Sequence, residues 1–223
     1  MAWKQALDRA HSLAQLDAID TASVLDQFAA EIPAALSLPE LEARDAELSA
    51  ALDAIDALAI RAMKIRLDHA LASDSSIGPP TRNVFAQTIV SYADNIALLA
   101  ERTRDLAARG RAPNPDEVAD RVAGAARASL DLRATLRAGV LDLIRRIAKT
   151  DAVVAERHAR DPKLDEASRK RWSAIRRDHE ALAMDPAAIT AARMAKRVAA
   201  WPDLLEEPEP VPEATLAELI EID

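Results

Sequence analysis

Cysteine is absent from the 223 residues, glycine appears only four times, and aromatic residues make up 3% of the chain. Without cysteine there is no disulfide-stapled fold; a reducing compartment fits, and the cytoplasm is the expected location. So little glycine excludes the Gly-rich phosphate cradles of nucleotide-binding loops. Scarce aromatics and scarce glycine turns argue against a β-sandwich or barrel. No run of ~18 uncharged apolar residues occurs, as a membrane-spanning helix would need. The opening Met1-Ala2-Trp3-Lys4-Gln5 soon meets Asp8, Arg9 and His11. It has no apolar stretch of the kind a signal peptide carries, and none is expected.

What the chain does have is alanine, 51 residues of it, alongside leucine, arginine and glutamate. These are the strongest helix formers. The expected fold class is all-α: an elongated antiparallel helical bundle with three long central helices, flanking shorter helices and an acidic C-terminal tail.

Charge divides the chain unevenly. The net value is −8 overall, but residues 1–110 carry −6, residues 111–200 carry +6 and residues 201–223 carry −8. A solvated acidic tail that partly shields basic helices is the simplest reading.

Proline marks the boundaries. Pro39, Pro115, Pro162 and Pro186 each stand where a helix can begin, since proline loses nothing at the first helical position. Asn114, Asp161 and Asp185 precede three of them as caps, and Ser37 lies two before Pro39. The segments Ile77-Gly78-Pro79-Pro80 and Gly110 to Pro113 read as breaks. About eight helices are expected, over 2–16, 21–35, 38–73, 81–109, 115–149, 151–160, 163–184 and 186–201. At Thr150-Asp151 either a new helix is capped or the long helix runs on to about 160. Pro208, Pro210 and Pro212 mark an acidic linker ahead of a short helix over 214–222. The expected division is 1–36, an N-terminal helical pair; 37–160, the long-helix bundle; 161–204, a C-terminal pair; and 205–223, the linker and tail.

Apolar spacing supports the long helices. Phe85, Ile89, Tyr92, Ile96, Leu99, Thr103 and Leu106 alternate steps of four and three, the pattern of a heptad seam. Val118, Val122, Ala125, Leu132, Leu136, Val140, Leu143 and Ile147 form a stripe in 115–149. In 38–73 the stripe includes Leu41, Leu48, Leu52, Ile55, Leu58, Ala62 and Ile65, widened by Ile60, Met63 and Leu67. Such width suggests contact with two neighbours, or self-association.

Catalytic chemistry is hard to find. His11, His69, His158 and His179 each sit on or beside an apolar face of a different helix. No H-x-x-x-H, E-x-x-H or H-E-x-x-H pair offers two ligands from one helix, so neither a metal nor another cofactor is expected. Glu101 and Asp105 are spaced i, i+4 and read as a solvated pair. The chain is expected to be non-enzymatic: a helical adaptor, subunit or regulator that binds another protein or itself.

A nucleic-acid-binding regulator is the main alternative. Residues 121–177 hold 15 basic and 7 acidic side chains, and Arg169, Lys170, Arg171, Arg176 and Arg177 are dense. Arginine suits phosphate. Against this, the arginines of 115–149 are spread around the helix, and the overall pI is about 5.1. An amphipathic surface-coating protein and a metal-binding bundle are weaker alternatives. Candidate partner-binding residues are Leu216, Leu219, Ile220 and Ile222 on the acidic tail, which suit docking in a groove. The basic group Arg169, Lys170, Arg171, Arg176 and Arg177 is their candidate complement.

Overall fold

The computed structural model describes residues 2–33, 35, 37–72 and 95–190. The fold is an all-α helical bundle, and no strand occurs among the described residues. Among the described residues seven helices carry it: α1 (Ala2–Asp8), α2 (Leu13–Asp17), α3 (Thr21–Glu31), α4 (Leu38–Ala72), α5 (Ile96–Arg109), α6 (Pro115–Ala159) and α7 (Glu166–Met184). A further helical turn covers 186–190.

Caps explain most of the helix starts. The Asn114 side chain accepts from the Glu117 backbone N–H at 3.3 Å, and its Nδ2 donates to Glu117 Oε2 at 3.3 Å, so Asn-Pro-Asp-Glu opens α6 as its residue types suggest. Asp185 Oδ1 accepts from the Ala188 N–H at 3.0 Å, which starts the turn at 186. Ser37 begins the approach to α4: its carbonyl accepts from the Leu41 N–H, and its hydroxyl donates to Glu40 Oε2 at 2.8 Å.

Three expected boundaries are corrected, each by a local competitor, and one left open is resolved. The helix expected over 2–16 breaks at residues 9–12, because Ser12 accepts from the Gln15 N–H while the Gln15 side chain accepts from the His11 N–H. Together the two bonds cap a new helix, with Gln15 reaching one residue further back than in a capping box. The helix expected to reach 35 stops at Glu31, since Ile32 precedes Pro33 and takes an extended conformation, φ −82° and ψ 112°. No helix starts at Pro162. Asp161 instead accepts from the Lys163 N–H at 2.9 Å in a tight turn, and Asp165 caps α7 by accepting from the Ser168 N–H at 2.7 Å. Finally, α6 passes through Thr150-Asp151 without interruption and spans 45 residues, or ~67 Å at ~1.5 Å per residue. The part of the expected 81–109 helix before residue 95 lies outside the described residues, as do the linker and the tail helix.

The chain divides into two compact units. Among the described residues, one gathers 2–7, 20–55 and 134–190, and the other gathers 8–19, 56–72 and 95–133. In the first, Trp3 and Phe28 meet edge to face at 5.1 Å, and Ala35, Leu41, Ala155 and Trp172 form a core cluster flanked by Leu38, Leu164 and Ile175. Leu25 of α3 comes so close to α6 that a Cβ on Gly139 would lie 2.2 Å from its Cδ1. A side chain there would force the end of Leu25 to shift.

In the second unit, Met63, Leu67 and Leu71 of α4 pack with Leu99 and Ala107 of α5 and with Val118, Val122 and Ala126 of α6. Thr103 sits in the expected seam and is fully buried. The widening stripe on α4 is divided: Met63 and Leu67 are buried, whereas Ile60 is 48% exposed. After α5 the chain turns through a Schellman motif, with Arg111 N–H bonded to the Ala108 carbonyl and Ala112 N–H to the Ala107 carbonyl. The left-handed position falls on Arg111, φ 56°, and Gly110 stands one residue too early to take it.

Candidate functional site

The clearest concentration of buried polar chemistry lies in the first unit, where α4, α6 and α7 each contribute one side chain. Arg44 continues the core stripe of α4, three residues after Leu41 and four before Leu48. Asp151 does the same on α6, three after Ala148 and four before Ala155. The two residues are 4% and 2% exposed. Arg44 Nη1 donates to both Asp151 oxygens at 2.6 Å, and its Nη2 donates to the Pro33 carbonyl. Arginine matches a carboxylate well because its donors are fixed in a plane. The guanidinium thus fixes both the α6 carboxylate and the backbone just ahead of α4.

His179 of α7 is the third member. It is 8% exposed, as its place in the row Trp172, Ile175, His179, Leu182 suggests. Its Nδ1 lies 3.9 Å from Asp151 Oδ2 and makes no hydrogen bond. That distance is too long for a hydrogen bond, and the carboxylate is already held by Arg44, so Asp151 does not orient the ring as it would in a catalytic dyad. Beside His179 a cavity of about 180 Å³ is lined by Leu38, Leu41, Asp45, Arg171, Ile175 and Asp178.

The remaining histidines are dispersed. His158 stacks on Trp172, with ring centroids 4.4 Å apart and planes 19° apart. His69 lines an open groove in the second unit with Arg66, Arg121 and Leu13. His11 is exposed near the α2 start. Among the described residues no three His, Asp or Glu side chains come together in a way that would hold a metal ion. Glu101 and Asp105 are both exposed on α5. No described helix is long and apolar enough to cross a membrane.

All five basic residues singled out in the sequence lie on α7. Lys170 and Arg177, seven positions apart, share an exposed stripe with each other, and Arg171 is also exposed. Arg169 and Arg176 form a half-buried row beside them. Lys170 pairs with Glu166 at 2.7 Å, and Arg176 stands 3.7 Å from both Glu156 and Glu180. At the start of the same helix, the Ser168 backbone N–H, then its side chain, lowers the Asp165 carboxyl below its ordinary 3.8, with the Arg169 charge a smaller contributor. Leu216, Leu219, Ile220 and Ile222 lie outside the described residues.

Sequence reasoning passed over Arg44 and read Asp151 only as part of a possible helix cap, although a signal was present: each is a charge at a core register, and the two have opposite sign. No protein-family model, curated protein or solved structure shows significant similarity to the chain.

Proposed function

We propose that the protein is a non-enzymatic helical adaptor, subunit or regulator that works through protein contacts, in the cytoplasm. The observation that supports this reading is the mixed-sign exterior of α6 and α7. Arg145 and Arg146 flank Asp142 at 3.6 and 3.2 Å, Arg160 reaches Glu156 at 2.5 Å, and Lys170 and Arg176 face Glu166, Glu156 and Glu180. Cations interleaved with their own acids suit a partner surface patterned in both signs. A polyphosphate backbone rewards a stripe of one sign. The buried ion pair and the ring stack are used in matching helices to one another, which leaves recognition to the exterior.

Native mass measurement of the protein isolated from its own cells tests the proposal. The expected result is a reproducible stoichiometric assembly above 24.1 kDa, composed of this chain alone or with a second protein. A monomer that binds duplex DNA or RNA tightly at low salt, and loses it steeply as salt rises, would overturn the reading in favour of the nucleic-acid alternative.

A further inference from the structure

In the first unit an open-sided chamber of about 340 Å³ lies between the end of α3, the segment leading into α4, and the C-terminal half of α6. That is within the ~300–1,000 Å³ range of small-molecule pockets. Its wall is largely apolar, with Ile32, Leu143, Ile147 and Val154 prominent, and its charged side chains are Arg44, Arg146 and Asp151.

The charges in this wall do not cancel. Asp151 has both oxygens on Arg44, and Arg44 still holds a buried Nε–H with no acceptor. Arg146 is therefore the surplus cation. Its partner Asp142, at 3.2 Å, lies outside the lining, and both are more than half exposed. An exposed pair of this kind is weak and readily exchanged. Thr150 also lines the chamber, one helical turn after Arg146, and its hydroxyl makes only a long 3.3 Å bond to the Arg146 carbonyl.

We infer that this chamber binds a small amphiphilic monocarboxylate. The aliphatic body rests on Ile32, Leu143, Ile147 and Val154, and the carboxylate exchanges with Asp142 for Arg146 while Thr150 turns to donate to it. One exchangeable cation selects a single negative charge, so a dianionic phosphate fits less well. The apolar wall disfavours sugars and other polyols. This inference is independent of the proposed adaptor role: absence of a protein partner leaves it intact.

Calorimetric titration of the full chain with octanoate and with octanol provides the test. Octanoate is expected to bind saturably at one site, at least tenfold tighter than octanol. Arg146→Gln should reduce octanoate to the octanol level. Ala29→Trp, placed at an exposed alanine that lines the chamber, should weaken both ligands at least tenfold. Both substitutions are at exposed positions, and circular dichroism checks that each variant keeps its helices. No saturable octanoate binding, equal binding of octanol, or wild-type binding by either variant would overturn the assignment.

Discussion

Arg44 and Asp151 lie 107 positions apart in the chain, yet one guanidinium nitrogen bonds both oxygens of the carboxylate at 2.6 Å. The pair occupies core registers on α4 and α6 and is almost wholly withdrawn from water. Breaking it from one side strands a buried charge, at a cost of about 3–5 kcal/mol. Asp151→Ala is therefore expected to lower unfolding stability by that amount in urea titrations. Arg44→Met combined with Asp151→Leu should recover most of the loss, because apolar replacement of a buried pair is often neutral or favourable. A double variant as unstable as the single one would show that the pair itself supplies net stability.

Two glycines of α6 should respond in opposite directions to the same change. Gly124 has nothing within 4 Å of a built Cβ, so Gly124→Ala is expected to stabilise by about 0.4–1 kcal/mol. At Gly139 the new methyl meets Leu25 Cδ1 at 2.2 Å, Cδ2 at 2.9 Å and Cγ at 3.1 Å. Overpacking of this kind costs about 1–3 kcal/mol, enough to outweigh the gain in helix propensity. The measured order of melting temperatures should be Gly124→Ala, then wild type, then Gly139→Ala.

The turn after α5 places a left-handed residue at Arg111, φ 56°. A side chain there costs about 1 kcal/mol relative to glycine. Arg111→Gly should raise stability by up to about 1 kcal/mol, offset slightly by added freedom in the unfolded chain. Thermal denaturation at neutral pH measures it, and a lower melting temperature would contradict the geometry.

The Asp165 cap has a definite pH signature. The Ser168 N–H, more than any other group, lowers its pKa below the ordinary 3.8 and so favours the charged form in the folded state. The resulting stabilisation is fully present above that ordinary value and is lost as pH falls through the lower folded value. Asparagine caps about as well as aspartate but carries no charge. Wild type should melt above Asp165→Asn at neutral pH, and the gap should narrow as pH falls below the ordinary 3.8. A gap of constant width across that range would assign the effect to something other than the carboxylate.

How much of this was legible beforehand differs from element to element. Helical class, the cap at Asn114 and the burial of Thr103 all follow from local residue types and a period near 3.5, which single stretches of chain display. The break at Ser12 was also written locally, in the Ser-x-x-Gln pair, and was outweighed by the alanine-rich run around it. Asp161 and Asp165 offer two equally good caps four residues apart. The choice between them depends on how the turn after α6 closes, and neither residue alone shows that. The register of Arg44 and Asp151 could be read on each helix separately, but their meeting is a property of the pairing of α4 with α6. The Gly139 contact is of the same kind: Gly124 and Gly139 look alike in the sequence of α6, and only the packing of α3 sets Gly139 against Leu25.

The continuity of α4 and α6 has one more consequence. Each compact unit is assembled from separated stretches of chain, and each of these helices contributes residues to both. No single cut yields a free-standing half. Deletion series, fusion points and recombination between genes must respect whole rods, since an exchange inside either one would leave both hydrophobic centres missing a wall.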